Sequence, residues 1–291
     1  MQLVQISNFL LSAAGAGGDV NPGEVVIEHL SDKVINGGPI GYLNTHLFDK
    51  KILGIFDMRV TGVVLMLWLA VMLCILVFIP LARRVKKADK GSSSRWVNMW
   101  ELIIEYMRDE VVYPNFHEKT GKVLPYFLTL FFFILFCNIV GLIPSTHIGF
   151  FPGFKTATGN LAVTGALAVL TLVEMFAVGF IKHGPVWIFS GIVPHGLPKG
   201  IYLIMWPIEL IGLFMKPIVL MIRLFANMLA GHIVIIVFVM LIIMFNSFFV
   251  AFGSVPGVIF IDALELLVAF IQAYVFTMLS AIFIASCIES H

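Results

Sequence analysis

The sequence predicts an all-α multi-span membrane protein, with five membrane-crossing helices plus one in-plane amphipathic helix. The last two crossing helices are long, tilted and paired as a hairpin. Three observations carry this expectation. Apolar residues fill 60% of the 291 positions and charged residues only 12%. Mean hydropathy is +1.01, a balance that soluble domains do not reach. The apolar residues gather in runs that match or exceed the roughly 20 helical residues needed to cross a hydrocarbon core. Lys and Arg gather on one side of those runs.

Residues 1–58 are mixed in polarity and rich in Gly and Asn, so they read as an extramembrane N-terminal segment. Asn8–Ala16 is short and apolar, and Ser12-Ala13-Ala14 resembles a cleavage site. No Lys or Arg precedes it, so a short surface helix is the reading rather than a signal peptide. Residues 59–291 form the membrane domain. Val60–Ala82 is the first span and ends in Arg83, Arg84, Lys86, Lys87 and Lys90, which places that end inside. Trp96–Val112 carries Asn98, Glu101, Glu105, Arg108 and Asp109 on one helical face. Trp96, Trp100, Ile103, Ile104 and Met107 occupy the other. That pattern belongs to a helix lying in the interface. Val123–Pro144 crosses outward, and Ser145–Thr158 carries a single lysine, Lys155. Gly159–Ile181 returns to Lys182 and His183. The N-terminus is therefore expected outside and the C-terminus in the cytoplasm.

Ile201–Phe249 would reach about 70 Å if straight, against a core of about 30 Å, so it must tilt or bend. Pro194, Pro198, Pro207 and Pro217 fall in or before its early part. Ser254–Gly257 reads as a turn, and Val258–Ile288 as a second over-long helix. Residues 201–288 thus form a hairpin able to embrace a curved partner. The three cysteines, Cys74, Cys137 and Cys287, lie in apolar runs without metal-ligand spacing and read as buried thiols. No glycine-rich phosphate loop, HExxH or Gly-x-Ser-x-Gly is present, so no catalytic centre, cofactor or metal is expected in the chain.

Within the hairpin, Arg223 stands in an almost unbroken apolar run. An arginine at bilayer depth costs about 2.5–3.5 kcal/mol on insertion scales and does not shed its charge. It marks an ion path or a mobile counter-charge, or else a structural ion pair. Asn227 and Gly231 follow at i+4 and i+8, on the same face. Glu209 lies 14 residues earlier, about 21 Å nearer the inside and nearly on that face. His232 lies about 13.5 Å further outward, half a turn around. On the second helix, Glu265 and Gln272 are seven apart and share a face. If Gln272 sits level with Arg223, Glu265 and His232 meet on the outer side. The pattern suggests an ion path interrupted by a fixed positive charge. Each residue alone has a simpler reading. His232 can be a satisfied hydrogen-bonding residue, and Asn227 and Gln272 helix–helix glue. Glu265 can be the ion-pair partner of Arg223, Glu209 interfacial, and Asp262 a solvated mouth residue. The combination is what is specific.

These residues resemble subunit a of the F-type ATP synthases. The stretch from Pro207-Ile-Glu209 through Lys216-Pro217 to Arg223-Leu-Phe-Ala-Asn227-Met-Leu-Ala-Gly231-His232 is similar to that family's signature around its essential arginine. Ala269-Phe-Ile-Gln272-Ala-Tyr274-Val-Phe-Thr277 is a second match. Thr158-Gly-Asn160-Leu-Ala-Val-Thr164 is a weaker one, and the ending Glu289-Ser-His291 is also family-like. The resemblance runs from about Glu24 to the C-terminus and is loosest at the N-terminal end.

The resemblance implies a non-catalytic proton-channel stator that couples the proton gradient to ATP synthesis, or ATP hydrolysis to pumping. Arg223 would face the c-subunit ring as the charge barrier between two offset half-channels. Glu265 and His232 would line the outer half-channel, and Glu209 would belong to the inner one. Asn227 and Gln272 would support Arg223 and the water path. The implied partners are the c-ring, the b-subunit peripheral stalk at the in-plane helix, the remaining F1FO complex and the lipid bilayer. Neither nucleic acid nor a small-molecule substrate other than the translocated ion is implied. The missing Arg- and Ser-rich presequence leans towards a bacterial plasma membrane, though an organelle-encoded chain would lack one too. The coupling ion defaults to the proton, with sodium decided by the partner's site. A secondary transporter is the alternative, but it predicts internal repeats that are not evident. A purely structural scaffold leaves charges at three depths on two helices unexplained.

Overall fold

The computed structural model describes residues 61–87, 95–142, 157–184, 199–245 and 248–288. The regular elements among them are all helices. They run α1 (Gly62–Lys87), α2 (Arg95–Tyr106), a π-helical stretch (Met107–Val112), α3 (Tyr113–Phe116) and a 3-10 turn (His117–Lys119). α4 (Thr120–Leu142), a 3-10 turn (Ala157–Gly159), α5 (Leu161–His183), α6 (Lys199–Phe245) and α7 (Phe248–Ile288) complete the order. Five helical stretches are long and apolar enough to cross a membrane. The expected surface helix at Asn8–Ala16, all of 1–58, and Pro194 and Pro198 lie outside the described residues.

The chain divides into two compact units. One takes its described residues from Met1–Leu73, Leu135–Asn160 and Ala226–Phe270. The other takes them from Cys74–Ile134, Leu161–Phe225 and Ile271–His291. In the second unit, Trp100 of α2 sits edge-on to Phe78 of α1 at 5.9 Å and tilts on Phe132 of α4 at 5.6 Å. One aromatic side chain therefore docks the amphipathic helix on two neighbours. Val97, Trp100, Met107 and Val111 are buried, while Glu105, Arg108 and Asp109 are exposed. Arg108 bonds both Glu105 and Asp109 on that polar face. Trp96 is 57% exposed and lies edge-on against Trp100 at 5.8 Å. The helical path from α2 breaks at His117, where φ is 46°, before α4 begins.

One expectation is corrected. Ser254–Gly257 is not a turn but part of α7, which starts at Phe248. α6 ends at Phe245, so only two residues separate the long helices. Pro207, Pro217 and Pro256 all lie inside helices. An apolar environment leaves free backbone groups nothing better than the helix, so prolines and glycines bend such helices rather than end them. Gly257 also has a packing use, because a Cβ there would come 3.1 Å from the ring of Phe238 on α6.

Cys137 and Cys287 are buried and Cys74 is half-buried.

Candidate functional site

The described polar groups of α6 and α7 fall into two sets, one in each unit. In the first unit the two helices run antiparallel, with Phe238 against Gly257 and Gly231 against Glu265. Glu265 is 8% exposed. Its carboxyl group lies directly over Gly231, where an added Cβ would overlap Oε1 and Cδ. A side chain at this position would require the flexible Glu265 carboxyl group to move aside. Among the described residues neither Oε1 nor Oε2 accepts a hydrogen bond. A buried carboxyl group without partners is costly unless protonated, hydrated or met by a charge. Asp262, three residues earlier on α7, is half-buried. His232 follows Gly231 directly on α6, which puts its backbone at the level of Glu265. Its side chain lies outside the described residues.

One helical turn beyond Glu265, Asn138 of α4 donates from Nδ2 to the Ala269 carbonyl at 3.2 Å. Its Oδ1 accepts from the Thr158 hydroxyl at 2.8 Å. Both side chains are fully buried. This bridge ties α4 and the 157–159 turn to α7 beside the carboxylate. Asn227, on α6, is half-buried.

The other set lies in the second unit. Arg223 is exposed on α6, and among the described residues it makes no ion pair. Arg223 lines a cavity of about 420 Å³ with Lys216 of α6 and Leu279 and Phe283 of α7. The Lys216 ammonium lies 5.3 Å from the centre of the Phe283 ring. Gln272 is buried at 6% exposure, and Glu209 is half-buried on α6. Among the described residues no group of His, Cys, Asp or Glu is placed to hold a metal.

Sequence reasoning missed four features. Asn138 is a single amide inside an apolar run, and its polarity alone was the available signal. Lys216 was visible as a charge, but its cavity was not. Gly231 was placed by spacing, without its contact to Glu265. Glu174, a half-buried carboxylate in the middle of α5, was as visible as Glu209 but fell in no recognised pattern.

Comparison with known proteins gives consistent matches. The family described as ATP synthase A chain matches residues 64–285. The chain is similar to ATP synthase subunit a of Chlorobium phaeobacteroides, 39% identical over 286 residues, covering 96% of this chain and 79% of that protein. It is similar to ATP synthase subunit a 2 of Chlorobaculum tepidum, 40% identical over 281 residues, covering 94% and 76%. Subunit a of Anaeromyxobacter dehalogenans is 38% identical over 301 residues, covering 96% and 74%.

Proposed function

This chain belongs to the ATP synthase A chain family, and on that premise we infer that its last two helices carry the ion path. It is the proton-channel stator subunit of an F-type ATP synthase, a membrane component of the F1FO complex. Catalysis on ATP takes place in other subunits. The observation that carries the detailed reading is Arg223, an exposed cation on an apolar helix with no ion pair among the described residues. A charge left free at such a cost has its counter-charge on a partner. That partner is the c-subunit ring, whose carboxylates Arg223 attracts in their ionised form. Arginine suits this task because it keeps its charge at any working pH.

In this reading, protons enter by the outer half-channel past Glu265 and His232 and load a ring carboxylate. That carboxylate travels through lipid and gives up its proton on the side of Glu209. Arg223 separates the two half-channels, with Asn227 and Gln272 supporting it and the water path. The 420 Å³ cavity beside Arg223 supplies space on the inner side. The buried Glu265 carboxyl, which has no hydrogen-bond partner among the described residues, suits a group that takes up and releases a proton. The exposed polar face of α2 meets the b-subunit stalk. Residues 1–58 lie outside, residues 59–291 form the membrane domain, and the channel hairpin spans 201–288. The cluster Arg83, Arg84, Lys86, Lys87 and Lys90 faces the cytoplasm of a bacterial plasma membrane.

Passive proton flow through membrane vesicles stripped of the soluble head tests this assignment. Glu265→Gln, nearly equal in volume but unable to ionise, is expected to cut the flow about tenfold or more, a typical loss for a proton-transfer group. Flow at the wild-type rate in an assembled complex would remove Glu265 from the path.

A further inference from the structure

The cavity beside Arg223 holds a second cation that the ion path described above does not use. Gly212, Lys216, Leu220 and Arg223 of α6 line it, with Leu279 and Phe283 of α7 closing the far side. Lys216 and Arg223 are seven residues apart on α6, so they share a face about 10.5 Å from each other. No carboxylate lines the cavity, and neither cation makes an ion pair among the described residues.

Lys216 is also placed at one end. It meets Phe283, only five residues before the last described residue of α7. There Lys182 of α5 donates to the Ile288 carbonyl. In the orientation proposed above, this is the inner end, and Lys216 stands between Arg223 and the water of that side. The Phe283 ring face holds the ammonium by cation–π attraction without neutralising it.

We propose that Lys216 is a positioning cation for proton release. With Arg223 it keeps the cavity positive, so a partner carboxylate arriving there is held ionised and its proton leaves on the Lys216 side. The inference rests on the stator reading. The charged and titratable groups around Lys216 are Arg223 and Glu209 on its own helix, Cys287 on α7, which lies within its electrostatic reach, and Lys182 on α5. Glu209 is seven residues from Lys216 on the same face of α6.

The sign follows directly. A nearby positive charge favours a carboxylate's ionised form and lowers the pH at which it gives up its proton. Removing the charge moves release to higher pH. At about 10 Å and intermediate screening, the displacement is roughly 0.3–1 pH unit.

The test uses the assembled complex in inverted vesicles, with the pH of the inner-side medium varied. Lys216→Gln is expected to move the pH profiles of both ATP synthesis and ATP-driven pumping to higher pH. Lys216→Arg is expected to restore the wild-type profile. If Lys216→Gln fails to assemble, Lys216→Met, neutral and of similar length, is read instead. A profile that is lowered without moving, or left unchanged, in the assembled neutral variant would overturn the inference. So would a shift in Lys216→Arg equal to that in Lys216→Gln. Arg223→Ala, measured alongside, separates the two levels. Persistent pumping there defeats the stator reading, whereas lost pumping with an unmoved Lys216→Gln profile defeats only the role of Lys216.

Discussion

A methyl group added at Gly231 would occupy the space of the Glu265 carboxyl. Glycine at this position therefore leaves the Glu265 carboxyl, 34 positions away in sequence, where it lies. Gly231→Ala forces that flexible group aside. ATP-driven pumping is expected to fall several-fold in that variant. Adding Glu265→Asp, which withdraws the carboxyl by one methylene, is expected to recover part of the loss. Two losses that simply multiply would show that the two sites act separately. Residue-level legibility was uneven for a physical reason. Arg223 was legible because a permanent charge in an apolar run is costly wherever it points. The roles of Gly231 and Asn138 depend on what a second helix brings to them, which helical spacing does not contain.

At the scale of elements, α6 and α7 were legible as two over-long apolar helices, but their junction was not. Ser, Pro and Gly at 254–257 are turn residues in water, where free backbone groups find solvent. Inside a long apolar stretch the same residues stay helical. The two glycines there differ in their surroundings. A Cβ at Gly253 meets nothing within 4 Å, whereas one at Gly257 presses on the Phe238 ring at 3.1 Å. Gly253→Ala is thus expected to be neutral or to stabilise by up to about 1 kcal/mol, the helix preference of Ala over Gly. Gly257→Ala is expected to be the less stable of the two in thermal melts of the purified complex. Equal melting behaviour would show that the Phe238 contact imposes no constraint. The amphipathic α2 was legible from its charged face, but which of its aromatic residues packs on protein was not. Both faces of that helix carry aromatic residues, and periodicity does not say which of them meets protein and which meets lipid.

For the whole molecule, composition alone indicated a membrane protein, and the distribution of Lys and Arg supplied an orientation. The helices display large apolar side chains outward, with Ile181 and Phe249 each 86% exposed, as a lipid-facing surface requires. Against that background Arg223, without an ion pair among the described residues, is the feature that most needs a partner. The direct measurement is ATP-driven acidification of inverted membrane vesicles, comparing wild type with Arg223→Ala in complexes shown to be assembled. Loss of acidification with assembly intact is the result the proposed function predicts, because in it Arg223 holds the partner's carboxylates ionised and keeps two half-channels apart. Acidification at near the wild-type rate would contradict the account and make the charge a structural one.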